Sequence, residues 1–175
     1  MRLSDLIGKE GIVHRLKATD RDEALMMLVQ HLVDTGRIAA EHQDDILTAL
    51  CKREALGATN IGNGVAIPHV KTELVNEFMG VLARSREGID FGGDEDPVHV
   101  IILFLSPARA VSGHLRLLAH IGGILKHDGY VQLLRSAETR AELYELIQDA
   151  ERMLGFATDD DDDRDTGQNP VLIGN

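Results

Sequence analysis

The chain has 175 residues and a mass of 19.2 kDa, a length that suits one domain with its own core and needs no disulfide or metal to hold it. A formal net charge of -11 argues against nucleic-acid partners, and 3% aromatic residues with no Trp leave no platform for stacked bases. The single cysteine, Cys51, excludes an intrachain disulfide framework and suits a reducing compartment.

Residues 1–15 carry no apolar signal region, and the longest apolar run, residues 100–105, is far short of the ~20 residues a membrane span needs. A soluble, cytoplasmic protein without direct membrane insertion is expected. Residues 11–18 open on β-branched side chains and predict a strand. Thr19-Asp20 supplies a helix N-cap, and Ala24, Leu25, Leu28 and Leu32 recur at helical spacing, so a helix should run to about Asp34. A second helix is expected over residues 40–54, with Ile46, Leu47, Leu50 and Cys51 facing inward.

The Gly and Asn density of residues 57–64 forbids a helix there. Val65-Ala66-Ile67 reads as a short strand whose ladder Pro68 should stop, and His69 follows directly. Residues 78–85 and 98–105 predict two further strands. The second is apolar throughout and therefore central. Ser106-Pro107 closes it. A helix N-capped by Ser112 is expected next, with Leu115, Leu118, Ala119 and Gly122 on one side. Shorter helices should cover residues 130–135 and 139–153.

From Thr158 onward come five consecutive Asp residues and then polar, Gly and Pro positions. This composition predicts a solvated acidic tail over residues 156–175, with the folded domain in residues 1–155. Strands and helices in this order predict an α/β fold: a single-domain sandwich whose mixed, partly parallel sheet is flanked by helices.

Of eight histidines, two have settings that suit chemistry. His69 stands past a strand end and a rigid proline, where a neutral ring can point one nitrogen outward while the other is held. His114 falls in a first helical turn, where partial positive charge keeps a ring neutral and welcomes phosphate. His31, His42, His99, His120 and His127 read as surface or core residues; His120 and His127 share a face if their helix is continuous. No P-loop, His-Glu-x-x-His, Cys-x-x-Cys or Gly-x-Ser-x-Gly pattern occurs.

The run Arg53-Glu54-Ala55-Leu56-Gly57-Ala58-Thr59-Asn60-Ile61-Gly62-Asn63-Gly64-Val65-Ala66-Ile67-Pro68-His69 resembles the type-2 enzyme IIA domain of the phosphoenolpyruvate-dependent sugar phosphotransferase system, in its fructose, mannitol and nitrogen-regulatory branch. Phe104-Leu105-Ser106-Pro107 and His114-Leu115-Arg116-Leu117-Leu118-Ala119 match a second pattern of that family.

The resemblance implies that His69 accepts a phosphoryl group from phosphohistidine HPr or a paralogue. It implies His114 as phosphoryl stabiliser and Arg53 as a possible phosphoryl contact, with no cofactor and no metal. Ala58 replaces the usual hydroxyl residue, and Thr59 is expected to keep the other hydroxyl contact. The rim for a protein partner is expected at Ile61, Val65, Val70 and Met79. The downstream recipient would be a IIB domain or permease; alternatively a free-standing, nitrogen-regulatory-type protein would bind a regulated target according to its phosphorylation. A metal-dependent hydrolase using His69 and His114 is the remotest reading.

Overall fold

The computed structural model describes residues 1–92 and 96–154. The sheet forms around one strand. β6 (Val98–Pro107) is buried along nearly its whole length and pairs with three neighbours. β5 (Met79–Ile89) runs antiparallel to it, whereas β3 (Val65–Ala66) and β4 (His69–Thr72) run parallel to it. β1 (Ile12–Val13) lies parallel to the far edge of β5, and β2 (Asn60–Gly62) pairs antiparallel with β3.

A strand of period 2 that is apolar on both faces needs cover on both sides. Ile101, Leu103 and Leu105 pack with α2 (Arg21–Asp34) and α3 (Gln43–Ala55). Val100, Ile102 and Phe104 pack beneath α1 (Leu3–Ile7), α4 (Val111–Leu125), α5 (Asp128–Ser136) and α6 (Arg140–Met153). The fold is therefore the expected α/β sandwich with a mixed sheet.

Local chemistry sets the helix ends. The Asp20 side chain accepts from the Glu23 amide to start α2, and Thr139 with Glu142 forms a capping box on α6. Four expectations need correction. The strand predicted over residues 11–18 shrinks to Ile12–Val13, although the Leu16 amide still donates to Arg84 O at 2.9 Å. Ser112 is not an N-cap: that place falls two residues earlier, on Ala110, with no side-chain cap. Its buried face is His114, Leu117, Ile121 and Ile124, so Leu115 points outward. The helix ends at Leu125, so His127 does not share it with His120 and instead precedes α5. The helix over residues 3–7 was not foreseen. The acidic tail lies outside the described residues.

Two glycines give opposite expectations. A β-carbon on Gly11 would overlap Ile7 O and stand 2.8 Å from Gly80 O, both fixed backbone atoms. Gly122, inside α4, has nothing within 4 Å of such a carbon. Gly11→Ala should lower unfolding free energy by at least the ~1–3 kcal/mol typical of overpacking. Gly122→Ala should raise it by about 0.5–1 kcal/mol through helix propensity. Urea denaturation of both variants tests the pair.

Candidate functional site

Pro68 does not stop the ladder. Its carbonyl accepts from Phe104 N at 3.0 Å, and the chain re-enters the sheet as β4, whose first residue is His69. His69 is therefore a strand residue, in register with Phe104 on β6. Residues directly opposite across a strand pair share a face. The His69 ring accordingly stacks on Phe104, centroids 5.3 Å apart and planes inclined by 11°. His114, in the first turn of α4, closes the group: its ring lies 5.3 Å from His69 and 5.1 Å from Phe104.

Hydrogen bonds fix both imidazoles. His69 Nδ1 lies 2.6 Å from Ile67 O. A carbonyl only accepts, so Nδ1 carries the proton and Nε2 keeps its lone pair. His114 Nδ1 lies 2.5 Å from Ser106 Oγ, a hydroxyl with no solvent exposure. When that hydroxyl donates, the His114 proton sits on Nε2 and is available as a donor. Both residues are 7% exposed, so water reaches them only at an edge.

Both rings are held neutral. Burial is the main cause for His69, with Arg53 adding to it and the Ile67 carbonyl opposing. His114 is pushed down to about 4 by burial, with His69, Lys71 and Arg53 acting in the same direction.

The loop ahead of His69 hangs on Glu54. This carboxylate is 3% exposed and accepts from Thr59 N at 3.1 Å and from the Thr59 hydroxyl. Thr59 O in turn accepts from Ile67 N at 3.0 Å. The Thr59 hydroxyl is thus turned to Glu54, and the expectation that it contacts phosphoryl is corrected. Arg53 donates from Nη1 to Gly57 O at 2.9 Å, bracing the same loop.

The rim also differs from expectation. Val65 and Met79 are core residues, and Val70 is half-buried against the α2–α3 layer. Ile61 is exposed as expected. It is joined by Leu56, the C-cap of α3 just beyond Arg53, and by Val111 and Leu115, which flank His114 on α4. Ser106, Phe104 and Glu54 were missed as site residues, although all three lie inside the two quoted motifs. No group of three or more potential metal-ligating side chains occurs among the described residues. No described helix is long and apolar enough to cross a membrane.

Fold and site together define the class: an α/β sandwich with a paired-imidazole site where two parallel strands meet a helix start. The family model described as "Phosphoenolpyruvate-dependent sugar phosphotransferase system, EIIA 2" matches residues 5–150. The chain belongs to this family of phosphotransferase-system phosphocarriers. It is 31% identical to a nitrogen regulatory protein of Bradyrhizobium diazoefficiens, over 84% of this chain and 95% of that one. It is 33% identical to a fructose-specific EIIA component of the phosphotransferase system from Haloferax volcanii, over 73% of this chain and 82% of that one. The crystal structure of nitrogen regulatory protein IIA-Ntr from Neisseria meningitidis superposes with a TM-score of 0.75 at 25% identity, covering 83% of this chain and 98% of that one.

The neutral rings set a pH dependence. His69 and His114 have lowered pKa values, so the unfolded chain binds protons at a higher pH than the folded one. The His114 contribution is whole above its ordinary 6.5 and is lost as pH falls toward about 4. Urea unfolding between pH 7.5 and 4.5 should show this decline, and His114→Gln should flatten it. An unchanged slope in that variant would count against a neutral His114.

Proposed function

We propose that His69 is the phosphoryl acceptor of this chain. The observation that carries the reading is the Nδ1–H to Ile67 O bond, which leaves Nε2 as the nucleophile. The Nε2 lone pair attacks phosphorus of an incoming phosphohistidine, on HPr or a paralogue. A new P–N bond forms at His69, the donor's P–N bond breaks, and its electron pair returns to the donor imidazole. The proton stays on Nδ1, donated to the Ile67 carbonyl throughout, so no base is required on this side, and the phosphorylated ring takes over the positive charge that the donor ring, protonated on its other nitrogen, gives up. His114 Nε2–H and the cationic groups of Arg53 and Lys71 face the charge that spreads over the phosphoryl oxygens.

Proteins of this class meet their donors and acceptors as proteins, and the surface suits that. Leu56, Ile61, Val111 and Leu115 are apolar and 51–87% exposed around a site that is itself nearly closed. Such side chains make the desolvated centre of a docking patch. Downstream, the phosphoryl group goes to a IIB domain or permease. A second reading is a regulator whose phosphorylation state alters its binding to a target protein. It is favoured by the similarity to a nitrogen regulatory protein along 95% of that relative's length. Both readings place the protein in the cytoplasm, with the working domain in residues 1–155 and the acidic residues 156–175 outside the transfer step.

The test mixes the protein with phosphoenolpyruvate, enzyme I and HPr and follows intact mass. One phosphoryl group should be gained, and none by His69→Ala. His114→Ala should slow the gain by about 10²-fold, as loss of a transition-state donor does. Leu115→Asp should raise the apparent KM for phosphorylated HPr with little change in kcat. Uptake by His69→Ala would overturn the assignment. Full uptake with no transfer to any IIB domain would select the regulatory reading.

A further inference from the structure

A cavity rich in cations lies toward the other end of β5 from the imidazole pair. It has a volume of ≈ 310 Å³ and opens between the chain after β1, the end of β5 and the residue pair before α6. Four cations line it: Arg15, Lys17, Arg84 and Arg86. In a chain of net charge -11, such a grouping runs against the composition. Among the described residues, none of the four has a carboxylate within ion-pair distance.

The cavity is rigid where it matters. Arg84 is 8% exposed, and its Nε donates to Arg135 O at 2.8 Å, which sets the plane of its guanidinium. The Leu16 amide donates to Arg84 O at 2.9 Å and so holds Arg15 and Lys17 beside it. The β5–β6 register shifts between Arg84 and Ile89, and Arg86 and Glu87, which lie within that irregularity, line the opening. Burial lowers the pKa of the nearby His14, and two of these cations, Arg15 and Arg84, push it down further together with Arg140.

The pocket is separate from the imidazole pair. Arg84 is in register with Val100 and His69 with Phe104, four strand steps or ~13 Å apart along β6 at ~3.3 Å per residue.

The lining also selects among anions. Planar guanidinium forks match phosphate oxygens in pairs. A volume near the bottom of the roughly 300–1,000 Å³ range of ligand sites fits a small molecule. No aromatic ring lines the cavity, so a nucleobase would find nothing to stack on. Glu87 and Glu138 supply carboxylates that accept from hydroxyl groups. We propose that this pocket binds a small phosphorylated polyhydroxy compound, with its phosphate on Arg15, Arg84 and Arg86 and its hydroxyls on Glu87 and Glu138. Such a ligand would report the supply of phosphorylated metabolites to a protein that carries phosphoryl elsewhere.

The test titrates the full chain, isotopically labelled for NMR, with glucose 6-phosphate, ribose 5-phosphate and glycerol 3-phosphate. Inorganic phosphate and glucose serve as controls. Saturable shifts are expected at the amides of Leu16, Lys17, Arg84 and Arg86 for at least one phosphorylated compound, weaker with inorganic phosphate and absent with glucose. His69→Ala should retain them. Arg15→Gln combined with Arg86→Gln, both exposed positions, should lower affinity by about tenfold or more while phosphoryl uptake at His69 is unchanged. The proposal is overturned if no compound saturates, if inorganic phosphate binds as well as the best of them, or if the shifts cluster around His69. It is also overturned if binding appears only after Asp159, Asp160, Asp161, Asp162 and Asp163 are all changed to Asn, because the chain's own carboxylates would then be the occupant.

Discussion

The bond from His69 Nδ1 to the Ile67 carbonyl is short and spans only two residues, yet most of the fold is needed to hold it. Ile67 is fixed because its amide donates to Thr59 O. Thr59 is fixed because its amide and hydroxyl both go to the buried Glu54 carboxylate at the end of α3. The other side is held by β6, which accepts β3 before Pro68 and β4 after it. A buried carboxylate would ordinarily be costly, but here it satisfies two donors that a loop rich in glycine could not otherwise place. The path from Glu54 to Thr59 to Ile67 to His69 therefore converts helix position into the tautomer of one ring.

Proline at position 68 belongs to the same constraint. It lacks an N–H, so it cannot serve as an ordinary central residue of a ladder. Its carbonyl still accepts from Phe104, which keeps the chain against β6 while one donor is omitted. The interruption between β3 and β4 lets the Ile67 carbonyl turn toward its own chain two residues on. In an unbroken strand that carbonyl would be taken by the neighbouring strand, and His69 would lose the acceptor that orients it.

Much of this was legible in the sequence, and what was not has identifiable causes. Periodicity and the Thr19-Asp20 cap gave α2 nearly to the residue, and α6 lies where residues 139–153 were expected to be helical; α3 begins at Gln43 rather than at residue 40, because a 3-10 turn over Ala40–His42 precedes it without a side-chain cap. The continuous apolar run over residues 98–105 marked the central strand. Burial patterns misled where a helix is apolar on more than one side. In α4 the sequence offers Leu115 and Leu118 as readily as Leu117 and Ile121, and only contact with the sheet decides between them. The rim failed for a related reason: Val65 and Met79 are near His69 in sequence or register, but strand alternation sends them into the two cores. His69 and His114 could be named from their settings and motifs. Ser106 and Glu54 could not be given roles, because those roles depend on hydrogen bonds across 8 and 5 residues that only the folded chain makes.

The electrostatics of the imidazole pair also suit the proposed phosphorylation of His69. Arg53 and Lys71 raise the positive potential around His69 and His114, and burial withdraws water from both rings. With the site empty, these two effects act together to keep the rings neutral, which preserves the Nε2 lone pair. Were His69 phosphorylated as proposed, the same positive potential would stabilise the negative phosphoryl oxygens through a medium of low polarizability, where charge–charge terms are large. Cations that keep the imidazoles neutral leave the attacking lone pair free and would still face the oxygens of a bound phosphoryl group, which suits a carrier that must accept from one protein and surrender to another.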